Sequence, residues 1–185
     1  LAVARGEKET VATVMSNLGL ERFLTDHGIR LHRTAVGDRY VGEELRSRGL
    51  SLGGEQSGHL LLLDRAPTGD GILSALQVLA AVRTSGVSLE DWMDRIPVFP
   101  QLLRNVAVPV GTKQAVADAP AVVAAVRDAA AKLGDDGRVN LRPSGTESLV
   151  RVMVEGPDDA TVQATVAAIV SVVEQASHEL QGTPA

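Results

Sequence analysis

Asn140-Leu141-Arg142-Pro143-Ser144-Gly145-Thr146-Glu147-Ser148, followed directly by Leu149-Val150-Arg151-Val152-Met153-Val154, decides how this chain is read. The second half alternates over a Val-rich run, as a strand does. Val150, Val152 and Val154 then share one face, and Leu149, Arg151 and Met153 the other. The first half cannot be regular structure. Pro143 removes an amide, Gly145 permits positive φ, and Ser144 and Thr146 set hydroxyls beside exposed backbone N–H groups. Two guanidiniums, two hydroxyls and a glycine-opened backbone make a cradle for a phosphate dianion. The plainer alternative is a hairpin turn carrying surface arginines.

Outward from that stretch, Gly156-Pro157-Asp158-Asp159 starts a final helix, with Asp158 or Asp159 as its cap. Val162, Val166, Ile169 and Val173 form the buried stripe of that helix. Gln181 to Ala185 reads as a frayed end. Upstream, Gln101 to Val110 reads as a strand, Pro120 opens an alanine-rich helix to Leu133, and Gly134 to Gly137 makes a turn. Strand, helix, strand, strand, helix predicts a small α+β domain, an antiparallel sheet with helices on one face. Lys113 and Lys132 read as ordinary surface lysines.

Pro97 and Pro100 mark a domain boundary, giving residues 1–97 and 98–185. In the first part, Leu1 to Gly6 reads as the tail of a helix ended by glycine. Thr10 to Met15 and Ile29 to Val36 are strands, Leu18 to His27 and Tyr40 to Arg48 are helices, and Leu60 to Leu63 is an apolar strand. Thr68-Gly69-Asp70-Gly71 starts a helix with apolar positions Ile72, Leu76, Leu79 and Ala80, and Ser88 caps a short helix containing Trp92 and Ile96. The fold class is α/β plus α+β: a truncated mixed α/β sheet domain, then the small antiparallel one. The chain begins at Leu1 with its first Met at Met15, so it is expected to be a fragment.

Two more polar loops stand against this frame. Gly53-Gly54-Glu55-Gln56-Ser57-Gly58-His59 precedes the Leu60 strand, and Glu55 and Ser57, two apart on an extended segment, point the same way. A carboxylate and a hydroxyl side by side suit a sugar diol, and His59 gains weight from that loop; the alternative is a glycine-rich bulge. Val36-Gly37-Asp38-Arg39-Tyr40 lies at a strand-to-helix junction, where parallel α/β sheets collect ligands. Arg39 and the helix amides could hold a phosphate there, whereas Asp38 on local grounds caps the helix.

Composition excludes several classes. Aromatics are 2% and net charge is −5, which disfavours base stacking and a nucleic-acid backbone partner. With no Cys there is no thiol nucleophile or thiolate metal site. The histidines lack metal-ligand spacing, no apolar run has the length of a membrane span, and no leader is visible. A cytoplasmic location fits.

The words Val11-Ala12-Thr13-Val14-Met15-Ser16-Asn17-Leu18-Gly19-Leu20, Val36-Gly37-Asp38-Arg39-Tyr40-Val41, Gly54-Glu55-Gln56-Ser57-Gly58-His59, Thr68-Gly69-Asp70-Gly71 and Arg142-Pro143-Ser144-Gly145-Thr146-Glu147 come in this order. Together they resemble the α-D-phosphohexomutase superfamily, most closely its bacterial phosphoglucosamine mutase branch, over nearly the whole chain. The resemblance implies the third and fourth domains of a four-domain enzyme that interconverts glucosamine 6-phosphate and glucosamine 1-phosphate. It does so through a phosphoserine and a glucosamine 1,6-bisphosphate intermediate, on the route to UDP-N-acetylglucosamine and peptidoglycan. Glu55, Ser57 and His59, with Asp38 and Arg39 in the sugar-orienting loop, would bind sugar. Arg142, Ser144, Gly145, Thr146 and Arg151 would hold the phosphate that is not transferred.

The family's catalytic serine belongs to the first domain and its Mg²⁺ loop, Asp-Gly-Asp-x-Asp-Arg, to the second; neither motif occurs in these 185 residues. The resemblance therefore implies no catalytic residue and no metal ligand here, and an inactive fragment of an active parent. The third domain is expected to lack its opening strand. Ser148 stands where the family usually has Pro. The implied ligand is a small phosphosugar, with a homodimer of the full-length enzyme allowed and no nucleic-acid or membrane partner. The competing readings are a phosphomannomutase or phosphoglucomutase, and a non-catalytic phosphosugar-binding module.

Overall fold

The computed structural model describes residues 1–181, and the chain divides into two units, Leu1–Val98 and Phe99–Ala185. In the first unit, β1 (Glu9–Thr13), β2 (Arg30–Thr34), β3 (Leu52–Gly54) and β4 (Leu60–Leu62) form one sheet in the order β2-β1-β3-β4. β1 runs parallel to β2 and β3, while β4 returns antiparallel to β3. The sheet is therefore mixed, as expected. Helices α1 (Ala2–Arg5), α2 (Leu18–Asp26), α3 (Asp38–Arg48), α4 (Gly71–Ser85) and α5 (Leu89–Asp94) accompany it.

The sequence explains these elements locally. Asn17 caps α2 by accepting the Gly19 amide at 2.9 Å, and Ser88 caps α5 by accepting the Asp91 amide at 3.0 Å. Val41 and Leu45 on α3 pack against Val11 and Leu61 of the sheet, all buried. Phe23, Leu24 and Ile29 form a second cluster, with Trp92 edge-on to Phe23.

Several boundaries differ from the sequence reading. β1 stops at Thr13: the Val14 amide still donates to the Thr34 carbonyl of β2 at 2.8 Å, and the Ser16 amide then donates to the Thr13 carbonyl and turns the chain away. α3 begins at Asp38, because the Tyr40 and Val41 amides both donate to the Gly37 carbonyl. On α4 the predicted apolar line is exposed: Ile72, Leu76 and Leu79 are 77%, 58% and 63% accessible. That helix instead turns Val78, Ala81 and Val82 toward an apolar cleft.

The second unit has β5 (Gln101–Ala107), β6 (Arg138–Pro143) and β7 (Leu149–Glu155) in the order β5-β7-β6, all antiparallel. α6 (Lys113–Ala117), α7 (Pro120–Leu133) and α8 (Asp159–Gln181) complete it. The central strand alternates as read: Val150, Val152 and Val154 face a core with Val116, Val122, Val162, Val166, Ile169 and Val173. The buried stripe of α8 is thus in place, and Asp158 caps that helix by accepting the Thr161 amide at 2.8 Å. Pro143 is tolerated because β6 is an edge strand.

The β5 strand is shorter than predicted, ending at Ala107. Pro109 offers no donor, and its carbonyl accepts both the amide and the hydroxyl of Thr112 in a turn that leads into α6. That short helix was not foreseen. Except for Gln181, which closes α8, the end read as frayed lies outside the described residues. No helix among the described residues is long and apolar enough to cross a membrane.

Candidate functional site

Three parallel strands end on one edge of the first sheet, and the loops leaving two of them carry the polar residues. The loop after β2 runs into α3 at Gly37 and Asp38; the loop after β3 spans 55–59. Glu55 ties them together. Its Oε1 accepts the Gly37 amide at 2.9 Å. Its own amide donates to the His59 carbonyl at 2.9 Å, and its carbonyl accepts the Gly58 amide at 3.0 Å. Asp38 Oδ2 lies 3.9 Å from His59 Nε2, with both side chains about half exposed.

The imidazole occupies space that a side chain at residue 69 would enter. A Cβ there would stand 2.3 Å from His59 Cδ2 and Nε2. Asp70 next to it caps α4 by accepting the Leu73 amide at 2.9 Å. The Thr68-Gly69-Asp70-Gly71 word therefore starts a helix and also makes room for His59. The sequence reading had only the first role.

Three expectations change here. Glu55 and Ser57 do not lie on an extended segment: residues 55–58 form a turn, Glu55 reaches Gly37, and Ser57 is exposed on the turn. Asp38 does not cap α3; it opens the first turn, and Gly37 occupies the cap position. Arg39 donates to Glu43 at 2.8 Å, one turn along the helix, and that bond holds its guanidinium above the ordinary value. The loops still present a carboxylate, an imidazole and a hydroxyl, which suit sugar hydroxyls.

In the second unit, the 144–148 loop joins β6 to β7 and is closed by the Ser144 amide donating to the Leu149 carbonyl at 2.8 Å. Arg142 and Arg151 stand directly opposite each other in the β6–β7 register. Burial first, and then the charge of Arg151, pull the Arg142 guanidinium below its ordinary value. Among the described residues no carboxylate pairs with Arg142, and Arg151 Nε is buried with no acceptor. Arg151 Nη2 donates to Glu147 Oε2 at 2.7 Å and to Ser144 Oγ at 3.3 Å. Ser144 is itself 2% exposed.

Gly145 and Thr146 are exposed at the tip. Gly145 does not take the positive φ that the sequence suggested, and a Cβ on it would meet nothing within 4 Å. Its smallness keeps space open above the loop. Opposed arginines, a buried hydroxyl and an open tip suit a doubly charged oxyanion.

A family model described as phosphoglucomutase/phosphomannomutase, alpha/beta/alpha domain III, matches residues 2–99. A second, phosphoglucomutase/phosphomannomutase C-terminal domain, matches residues 103–172. The chain belongs to the phosphoglucomutase/phosphomannomutase family. Phosphoglucosamine mutase of Deinococcus radiodurans is 53% identical over 174 residues, 94% of this chain and 39% of that protein. The enzyme of the same name from Paramagnetospirillum magneticum is 53% identical over 167 residues, 90% of this chain and 37% of that protein. The chain thus spans about two fifths of the length of these relatives. A solved structure of Aspergillus fumigatus N-acetylphosphoglucosamine mutase, in complex with GlcNAc-6P and magnesium, shares the fold. Its TM-score is 0.74 at 17% identity, covering 95% of this chain and 41% of that one.

Within this mutase-family chain a cavity of about 430 Å³ lies beside the polar loops and is mostly apolar. It lies in the first unit, lined by Leu20, Phe23, Leu52, Val78, Trp92 and Ile96, and Glu55 and Gln56 give it a polar edge. An apolar cleft cannot orient a sugar, so the loops are the candidate site. The residues do not fit Mg²⁺: among the described residues no three His, Cys, Asp or Glu gather to hold a metal.

Two residues in or touching the 144–148 loop escaped the sequence reading. Glu147 is the internal partner of Arg151, which the i, i+4 spacing could have suggested. Lys113 is no ordinary surface lysine: its Nζ donates to the Ser144 carbonyl at 2.6 Å. No local signal links residues so far apart in sequence.

Proposed function

We propose that this chain is the sugar- and phosphate-binding part of a phosphoglucosamine mutase, which interconverts glucosamine 6-phosphate and glucosamine 1-phosphate. The observation that carries the reading is the cross-strand pair Arg142 and Arg151. Like charges directly opposite on a sheet are unfavourable, and a bound dianion turns that cost into attraction. Arg142, Arg151, Ser144 and the Gly145–Thr146 tip hold the phosphate that is not transferred. Glu55, Ser57 and His59, with Asp38 beside them, recognise sugar hydroxyls, and Arg39 stands next to Asp38 in the first turn of α3. Residues 1–97 supply the sugar half of recognition and residues 98–185 the phosphate half.

Identity of 53% to curated phosphoglucosamine mutases favours the amino sugar over glucose or mannose phosphates, which the family description also covers. In the whole enzyme a phosphoserine, Mg²⁺ and glucosamine 1,6-bisphosphate complete the chemistry, and the product feeds UDP-N-acetylglucosamine and peptidoglycan synthesis in the cytoplasm. The chain's own residues bind and orient; they transfer nothing. Assaying the full-length enzyme with glucosamine, glucose and mannose 6-phosphates tests the reading. The highest kcat/KM is expected for glucosamine 6-phosphate, and a preference for either other sugar would overturn the assignment.

A further inference from the structure

We infer that Lys113 is the positioning residue of the phosphate loop: it holds the loop's carbonyls on one side, so that its amides face the phosphate. The inference rests on the phosphate-binding reading above and concerns a residue outside the loop.

Lys113 Nζ donates to three carbonyls of one loop: Ser144 at 2.6 Å, Gly145 at 3.3 Å and Glu147 at 3.4 Å. An ammonium has three N–H donors, so the loop uses all of them. A trans peptide is planar, with its N–H opposed to its C=O. Drawing those three carbonyls to Lys113 therefore turns the amides of Gly145, Thr146 and Ser148 the other way. Among the described residues none of these three amides makes a hydrogen bond. Successive amides turned to one side form an anion-binding concavity. The lysine charge also polarises each peptide it touches, which makes the opposite N–H a better donor.

The lysine is held in place from behind. It begins α6, which follows the Pro109–Thr112 turn and is anchored by the fully buried Val116. Lys113 itself is half-buried. It sits on the carbonyl side of the loop and does not touch the anion.

The test is calorimetric titration of the chain with inorganic phosphate and with glucosamine 6-phosphate, for wild type, Lys113→Met and Lys113→Arg. The amide shifts of Gly145, Thr146 and Ser148 are followed by NMR, with Val152 and Val154 as reporters of an intact core. Loss of these charged hydrogen bonds is expected to weaken binding about tenfold or more in Lys113→Met and to abolish the phosphate-induced shifts of the three amides. Lys113→Arg keeps the charge, but its planar fork cannot converge on three carbonyls, so it too should bind more weakly than wild type.

Equal affinity of either variant and wild type, with unchanged amide responses, would overturn the proposal. So would a difference that vanishes at roughly 1 M salt, which would make Lys113 a remote charge rather than a positioning group. Failure of the wild type to bind, or binding that survives Arg142→Ala, would instead count against the phosphate-binding reading itself.

Discussion

Arg142 and Arg151 face each other across the β6–β7 ladder, two cations on neighbouring strands that share no carboxylate among the described residues. Arg151 has an acidic partner, the Glu147 carboxylate at 2.7 Å, and Arg142 has none among the described residues. On the phosphate-binding reading, this arrangement suits a bound anion. Removing Arg142 should therefore leave the empty domain as stable as before or slightly more so, while weakening phosphate binding by about 1.5–3 kcal/mol. Thermal melting with and without phosphate reads both effects. At the same concentration, phosphate should raise the wild-type Tm by much more than that of Arg142→Ala.

On the same reading, Glu147 competes with the ligand for Arg151. Glu147→Gln removes the negative charge and keeps the shape, so phosphate affinity should rise by a few-fold, on the order of 0.5–1 kcal/mol. Titration calorimetry decides it. Weaker binding by the variant would mean that Glu147 orders the loop rather than guards it.

Gly69→Ala tests the sugar loops without touching the phosphate loop. The new methyl would stand 2.3 Å from the His59 ring and force it to move. His59 is half exposed and can swing away, so the fold should survive. Affinity for glucosamine 6-phosphate is expected to fall while affinity for inorganic phosphate stays constant. A parallel loss of both would contradict the division of roles.

Asp158 sets an acid limit on α8. The Thr161 amide and hydroxyl, with the Ala160 amide, hold its carboxyl below the usual value of 3.8. A depressed folded pKa stabilises the fold above the unfolded value and loses that contribution as pH falls through the folded one. Asp158→Ala should lower the Tm at pH 7, and the gap to wild type should close once both are measured well below pH 3.8.

Much of this was legible because the signals are local. Alternation placed Val150, Val152 and Val154 on the core face; caps such as Ser88 and Asp158 marked helix starts; the glycine-bearing words located the loops. What escaped depends on distant backbone. Lys113 meets carbonyls 31 to 34 residues away, and carbonyl direction has no residue code. Glu55 turned to the Gly37 amide instead of standing beside Ser57, because the β3–β4 connection is a tight turn. The exposed line of Ile72, Leu76 and Leu79 shows that periodicity finds a face without saying what covers it.

The most direct test of the central claim is titration of this chain with glucosamine 6-phosphate, with inorganic phosphate and Arg142→Ala as controls. The account predicts saturable binding that prefers the sugar phosphate and is lost in Arg142→Ala. Binding that is indifferent to Arg142, or no preference for the sugar phosphate over phosphate alone, would contradict it.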